Sequence, residues 1–106
     1  MTVSRTAVNP WPWSVAMGYN QGEVVQGGSR VLVTSGQAAM SPDGRPQHPG
    51  DMPAQVTLTL DNIQAVLDGA GMTFGDVVHI NTYTTDVDAF FASYGLLVEI
   101  EVTAVV

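Results

Sequence analysis

The chain has 106 residues, enough for one domain and too few for two. Hydrophobic residues make up 45%, the composition of a folded chain rather than a disordered one. Three arginines, no lysine and ten acidic residues give a formal net charge of -7, which excludes the cationic footprint that nucleic acid or an anionic membrane surface requires.

There is no cysteine, so disulfides, thiolate metal sites and a cysteine nucleophile are excluded as well. Met1-Thr2-Val3-Ser4-Arg5 is not followed by an apolar signal region, and no apolar run is long enough to cross a bilayer. A cytoplasmic protein is expected. A domain this small has a high surface-to-volume ratio, so copies of the chain are expected to cover part of its apolar surface.

The first segment runs to about Trp13 and contains Asn9-Pro10-Trp11-Pro12-Trp13. Two closely spaced prolines predict extended structure and no helix, with both indoles lying on an apolar surface. Glu23-Val24-Val25-Gln26 and Arg30-Val31-Leu32-Val33-Thr34-Ser35 are β-branched runs joined by Gly27-Gly28-Ser29, the pattern of a β-hairpin. Ser35-Gly36-Gln37 then breaks the second strand, at a glycine of the kind that lets a ligand or another backbone come close. Ser41-Pro42-Asp43-Gly44-Arg45-Pro46 is a turn.

Asp51 is a good N-cap, with Pro53 early in the helix that follows. Val56, Leu60, Ile63, Leu67 and Ala70 form one predicted apolar stripe, and Gly71 ends the helix. Asp76 to Thr85 reads as a strand, with Val78, Ile80 and Thr82 on one face and Val77, His79, Asn81 and Tyr83 on the other. Asp86-Val87-Asp88 opens a short helix through Phe90, Phe91 and Tyr94, ended by Gly95. From Leu96 to Val106 the chain alternates, with Leu96, Val98, Ile100, Val102 and Ala104 on the buried side. Residues 1–106 are thus predicted to form a single α+β domain, a mostly antiparallel sheet with helices on one face.

The chemistry-bearing residues are few. His48 and His79 have no metal-ligand spacing between them. No nucleophile elbow or phosphate-cradling glycine loop is present. Glu99 and Glu101, at i and i+2 on a strand, share a face. They read either as the solvated side of an amphipathic strand or as a carboxylate pair suited to proton transfer. Tyr19, between Gly18 and Asn20-Gln21, either packs or turns its hydroxyl into a pocket.

Taken in series, several segments resemble one family. Gly18-Tyr19-Asn20-Gln21-Gly22 is similar to its N-terminal segment with Tyr-x-Gln. Val33-Thr34-Ser35-Gly36-Gln37 is similar to its strand ending in Ser-Gly-Gln. Leu60-Asp61-Asn62-Ile63 with Ala70-Gly71 resembles its first helix, Asp76-Val77-Val78 with Tyr83-Thr84-Thr85-Asp86 the next strand, and Val98-Glu99-Ile100-Glu101-Val102-Thr103-Ala104 its C-terminal strand. On these residues the chain resembles the RidA (YjgF) family of imine- and enamine-deaminating proteins, whose name also carries an endoribonuclease label. The resemblance implies a chorismate-mutase-like fold and a homotrimer with small-molecule clefts between subunits. It implies hydrolysis of 2-imino or enamine acids to 2-keto acids and ammonia, without metal or organic cofactor. Glu99 would handle the attacking water, Tyr19 would line the cleft as the second catalytic residue, and Ser35, Gly36 and Gln37 would lie beside the substrate. Ribonuclease activity is the weakest reading at a net charge of -7.

One departure is prominent. The family's deaminases hold the substrate carboxylate with an arginine in a Pro-Ala-Arg segment, between the second helix and the glutamate-bearing strand. Here only Leu96-Leu97-Val98 separates Tyr94-Gly95 from Glu99. A helix end, a loop and a strand need on the order of twenty residues. The segment expected between Gly95 and Leu96 is therefore absent, and none of Arg5, Arg30 or Arg45 falls in a matching position. Either a stretch is missing from the sequence as written or the polypeptide is this short and lacks its carboxylate anchor. Loss of an interior strand would leave backbone groups unpaired, which favours the former. The latter would leave a family member that binds a small metabolite without turning it over.

Overall fold

A computed structural model describes residues 3–84 and 97–106. Five strands and one α-helix are present among them: β1 (Ser4–Val8), β2 (Gly22–Gln26), β3 (Val31–Val33), α1 (Met52–Gly69), β4 (Val77–Thr84) and β5 (Val98–Val105). They form two antiparallel sheets, β1-β2 and β3-β5-β4. The α+β class holds, but the single sheet does not. The short helix expected over 86–94 and the junction at Gly95-Leu96 lie outside the described residues.

The hairpin expected between 23–26 and 30–35 is not formed. β2 pairs with β1, and β3 pairs with β5. Gly27 and Gly28 do take positive φ, 77° and 82°, but they redirect the chain from one sheet to the other. The amides of Ser29 and Arg30 donate to the carbonyl of Val106 at 2.8 and 3.0 Å. A Cβ on Gly28 would stand 2.9 Å from Val105 Cγ1 and 3.2 Å from the Val106 carbonyl, so this crossing needs glycine for space as well as for φ. Local turn chemistry was right, and the strand partner was decided by long-range pairing with β5.

The prolines near the N-terminus do not exclude helical turns. Pro12–Met17 forms a 3-10 helix with Pro12 at its first position, where a missing N–H costs nothing. Trp11 and Trp13 are not laid on an apolar surface within this chain. They are 61% and 56% exposed, and Trp13 meets only the edge of Tyr19, with ring centroids 6.0 Å apart.

Helix α1 begins and ends as expected. Asp51 accepts a hydrogen bond from Ala54 N at 3.1 Å. At the other end Gly71 has φ 70°; its amide donates to Asp68 O and that of Met72 to Leu67 O, a Schellman closure. Arg30 adds a side-chain cap, donating from Nη1 to Ala70 O at 2.8 Å. The core-facing side keeps four of the five expected residues, with Ile63 and Leu67 in the core and Val56 and Ala70 packed against it, and departs from the expected stripe at Leu60. Gln55, Thr59, Ile63 and Leu67 are buried, while Leu60 is exposed. The reason is polar. Gln55 Oε1 accepts from Leu97 N at 2.7 Å, and its Nε2 donates to His48 O at 3.0 Å. The first half of the helix is thus turned inward by a glutamine that satisfies two loops.

Ile63, Leu67 and Met72 pack on Val98, Ile100, Val102 and Ala104 of β5, the alternation read from the sequence. Leu67→Ala should therefore cost about 2–5 kcal/mol of stability, and Leu60→Ala under about 1 kcal/mol. Urea unfolding of the two variants compares the observed stripe with the expected one. The molecule is a slab of 44 × 34 × 16 Å with a radius of gyration of 15.9 Å, against about 13 Å for a compact domain of this length.

Candidate functional site

The register of the three-stranded sheet assembles the site on the face away from α1. Val33 pairs with Thr103 and would be followed by Thr34 opposite Val102. Thr34 N donates to Val102 O at 3.0 Å, and Val102 N donates to the Thr34 hydroxyl at 3.0 Å. Gln37 then exchanges both backbone hydrogen bonds with Ile100, at 2.7 and 2.8 Å. Two residues, Ser35 and Gly36, therefore stand against the single residue Glu101. This is a β-bulge, a device that re-aims what lies beside it.

What lies beside it is Glu99. A Cβ on Gly36 would fall 2.8 Å from Glu99 Cγ and closer still to its carboxyl group. The carboxylate is laid over the bare backbone of the bulge. Gly36 is not among the positive-φ residues, so glycine is required here for room and not for backbone freedom. The loop beyond is fixed from the helix side: Asn62 Nδ2 donates to Ala38 O and Met40 O at 2.9 and 3.0 Å. The Gln37 side chain folds back on Ser35, 3.4 Å from both its carbonyl and its hydroxyl.

Strand β4 supplies the opposite side. Tyr83 pairs with Glu99 and Asn81 with Glu101, so all four side chains share one face. Asn81 Nδ2 and the Tyr83 hydroxyl both donate to Glu101 Oε1, at 2.9 and 3.3 Å. Glu101 is thereby engaged, whereas no hydrogen bond or ion pair to Glu99 is formed among the described residues. The two glutamates that looked equivalent in the sequence are different in the fold. Asn81 and Tyr83 were legible only as members of one strand face, since their meeting with Glu101 depends on register.

The negative charge of this face is felt by Tyr83. The Glu101 carboxylate beside it raises its phenol above the ordinary 10.0, with desolvation, the hydrogen bond to Glu101 and the charge of Glu99 acting in the same direction. The folded chain thus holds this proton more tightly than the unfolded one, and stability contributed by Tyr83 is lost as pH rises past 10. Alkaline titration of tyrosinate absorbance should show Tyr83 titrating late, and Glu101→Gln should bring it down.

Tyr19 is placed elsewhere in the same chain. It lines an open cleft of about 870 Å³ with Asn20, Gln21, Glu23 and the first residues of β4, Val77 to Ile80. Asn9 builds this corner, donating from Nδ2 to Asn20 Oδ1 at 2.9 Å and accepting from Gln21 N at 2.8 Å. Glu99 pairs with Tyr83 near the far end of β4, four residues or about 13 Å along the strand from His79. Within one chain the structure brings Glu99 onto Gly36, with Ser35 and Gln37 as that glycine's chain neighbours, and leaves Tyr19 at the other end of β4. No three His, Asp or Glu side chains converge as a metal-ligand set among the described residues.

A glutamate laid over a glycine bulge, on a strand whose other face packs against one helix, defines a small α+β domain with its chemistry on an uncovered sheet face. A family model described as Endoribonuclease L-PSP matches residues 12–94. The chain belongs to the RidA (YjgF) family, to which that model corresponds. It is 35% identical over 85 residues to the RutC family protein YjgH of Escherichia coli K12, covering 79% of this chain and 63% of that protein. It is 34% identical over 60 residues to the 2-iminobutanoate/2-iminopropanoate deaminase of the same organism, covering 57% of this chain and 46% of the enzyme. The chain thus spans less than two thirds of either relative's length. The solved structure of the Rid-family protein YyfB from Yersinia pestis, described as of unknown function, superposes with a TM-score of 0.74 at 28% identity, covering 96% of this chain and 98% of that one. No helix among the described residues is long and apolar enough to cross a membrane.

Proposed function

We propose that this chain hydrolyses small reactive imines or enamines, the 2-imino acids of its relatives being the reference class, to a carbonyl compound and ammonia. The observation that carries the reading is Glu99, unengaged and laid over Gly36, on a strand that resembles the family's acidic strand and lies beyond the residues that the family model matches. Water forms a bond from its oxygen to the imine carbon as Glu99 accepts its proton. Glu99 returns that proton to the nitrogen, and the C–N bond breaks as the carbinolamine hydroxyl gives up the second water proton, so that the nitrogen leaves with both protons as ammonia and the oxygen stays as the carbonyl. Carboxylates placed in this way contribute typically 10²–10⁴-fold as general acid–base groups. The atoms balance without metal or organic cofactor.

The cleft is completed by assembly in this reading. Three copies close so that the Tyr19 segment of one faces the Glu99 face of its neighbour, with Ser35, Gly36 and Gln37 against the ligand, in a cytoplasmic homotrimer that binds neither nucleic acid nor membrane. Supporting this, the face that carries Glu99 also carries Val31 and Val33, 63% and 70% exposed, and the slab is too thin to bury them itself. Tyr19 is 49% exposed and its neighbour Trp13 56%, a surface left for a second copy.

Ammonia release from imines generated in situ, in parallel with sedimentation, tests both parts. Accelerated release and a mass three times 11.2 kDa are expected. A folded trimer that gives no acceleration removes the enzyme, and a monomer at all concentrations removes the cleft. A second reading, ligand binding without turnover, is favoured by one specific observation: no arginine stands at the Glu99 face to anchor a substrate carboxylate.

A further inference from the structure

Of the three arginines, Arg30 caps α1 through Ala70 O, and Arg45 pairs with Asp43 at 3.2 Å inside one exposed turn. Arg5 is the one that joins the two sheets. Strands β1 and β2 pair along their whole length, from Ser4 opposite Gln26 to Val8 opposite Gly22, and lean mainly on each other. Neither contains a buried residue. A two-stranded ribbon with no apolar face against a core is marginally stable in water, so this one needs fastening. Its base is fixed where Gly28 crosses at Val105 and where the amides of Ser29 and Arg30 meet Val106 O. Residues 9–21 leave from its far end and carry Tyr19, with Asn9 closing the neck through Asn20 and Gln21. Between base and tip, Arg5 Nη2 donates to Gly75 O and Val77 O at 3.2 and 2.8 Å, at the turn that opens β4. Among the described residues these are the side-chain hydrogen bonds that run from the arm to the β4 side.

We propose that Arg5 is a positioning residue: it straps the β1-β2 arm to the start of β4 and thereby sets how far the Tyr19 tip stands from Val77 to Ile80. Its bearing on turnover rests on the reading of Tyr19 as a cleft residue; the strap itself does not. One guanidinium nitrogen serves two carbonyls of the second sheet. The Nε lies 3.5 Å from Glu23 Oε1, and Glu23 belongs to the arm itself, two residues from the Val25 that pairs with Arg5. The ion pair therefore orients the guanidinium within the arm, and the carbonyl bonds alone cross from sheet to sheet. Glu23 Oε2 in turn accepts from Asn20 Nδ2 at 3.3 Å. A continuous set of polar contacts thus runs from Val77 through Arg5 and Glu23 to the residue beside Tyr19. Beyond the strap the arm and β4 part, and both line the open cleft of about 870 Å³. A lysine would not replace the fork, because an ammonium on a flexible stem lacks the planar Nη and Nε donors that serve both partners at once.

Hydrogen exchange of the full chain, read segment by segment, tests the strap without any turnover. Arg5→Met should speed exchange of the amides in 4–8 and 22–26 by about tenfold or more, leaving α1 and the β3-β5-β4 sheet within about twofold. Glu23→Gln breaks only the arm's internal ion pair, so it should speed the same amides by less than about threefold, with Arg5→Lys between the two. Unchanged arm exchange in Arg5→Met, a rise spread evenly over α1 and both sheets, or an equal rise in Glu23→Gln overturns the strap. Turnover tests the positioning of Tyr19. Arg5→Met should lower kcat/KM for imine hydrolysis by about tenfold or more. Added to Tyr19→Ala it should cost less than about twofold further, as for two changes that disturb one arrangement. Fully additive losses, or an undiminished kcat/KM beside a loosened arm, overturn that positioning while leaving the deaminase reading intact. Should the unsubstituted chain turn over no imine, the deaminase reading falls, and exchange alone upholds or overturns the strap.

Discussion

Glu99→Gln should lower imine turnover by about 10²–10⁴-fold, the range for removing a positioned general acid–base group, while leaving the unfolding midpoint almost unchanged. Both halves of this expectation come from the fold. The side chain is exposed, unengaged among the described residues, and on the sheet face opposite the core, so a neutral isostere removes no structural contact. Glu101→Gln is the matched comparison, with the same charge removed from the same strand two residues on. One of its oxygens already accepts from Asn81 and Tyr83, which hold the side chain toward β4, so a loss under about tenfold is expected for a group that does not reach the substrate. Steady-state kinetics on the two variants decides the matter. Equal losses would mean that the face acts through its overall charge and that Glu99 has no special position.

Gly36→Ala should reduce turnover nearly as far, about 10²-fold or more, through displacement of a general acid–base group, without touching a titratable group. The new methyl would occupy the place of the Glu99 carboxylate. One of the two must move, and the exposed glutamate is the flexible one, so the carboxylate swings off the bulge. The fold should tolerate the change. Gly36 does not use the left-handed region, and a Gly→Ala exchange at a compatible backbone stabilises by about 0.4–1 kcal/mol through the unfolded chain. The expected signature is an unchanged or higher melting temperature with turnover lost, and no further loss when Glu99→Gln is added, as for two changes that break one interaction. A Gly36→Ala protein with undiminished turnover would show that the carboxylate does not work from above the bulge.

Much of this site was written in residue patterns. The alternation from Val98 to Ala104 assigned the buried face of β5 and, by parity, put Glu99 and Glu101 on the other. Ser35-Gly36-Gln37 was recognisable as a strand break at a glycine where something comes close. That the something is Glu99 was not legible, because it depends on the one-residue bulge between Val33 opposite Thr103 and Gln37 opposite Ile100. The helix showed the same limit. Its ends were set by Asp51 and Gly71, and Val56, Ile63, Leu67 and Ala70 reach the core as the stripe requires, but hydrophobic periodicity did not foresee an exposed Leu60 or a buried Gln55, since it does not count the hydrogen bonds that Gln55 makes.

By itself, the sequence determined the α+β class, the ends of α1, the buried face of β5, the family, and the scarcity of basic residues. These are properties of local chemistry and composition, which each residue carries wherever it goes. Only the tertiary structure decided that Gly27-Gly28 is a crossing between sheets and not a hairpin, that Glu101 is occupied while Glu99 is unengaged, and that every arginine is spent on backbone carbonyls or a nearby carboxylate. Those outcomes turn on which strand pairs with which and in what register. A pairing is a competition among distant partners, and no short stretch of the chain contains both contestants.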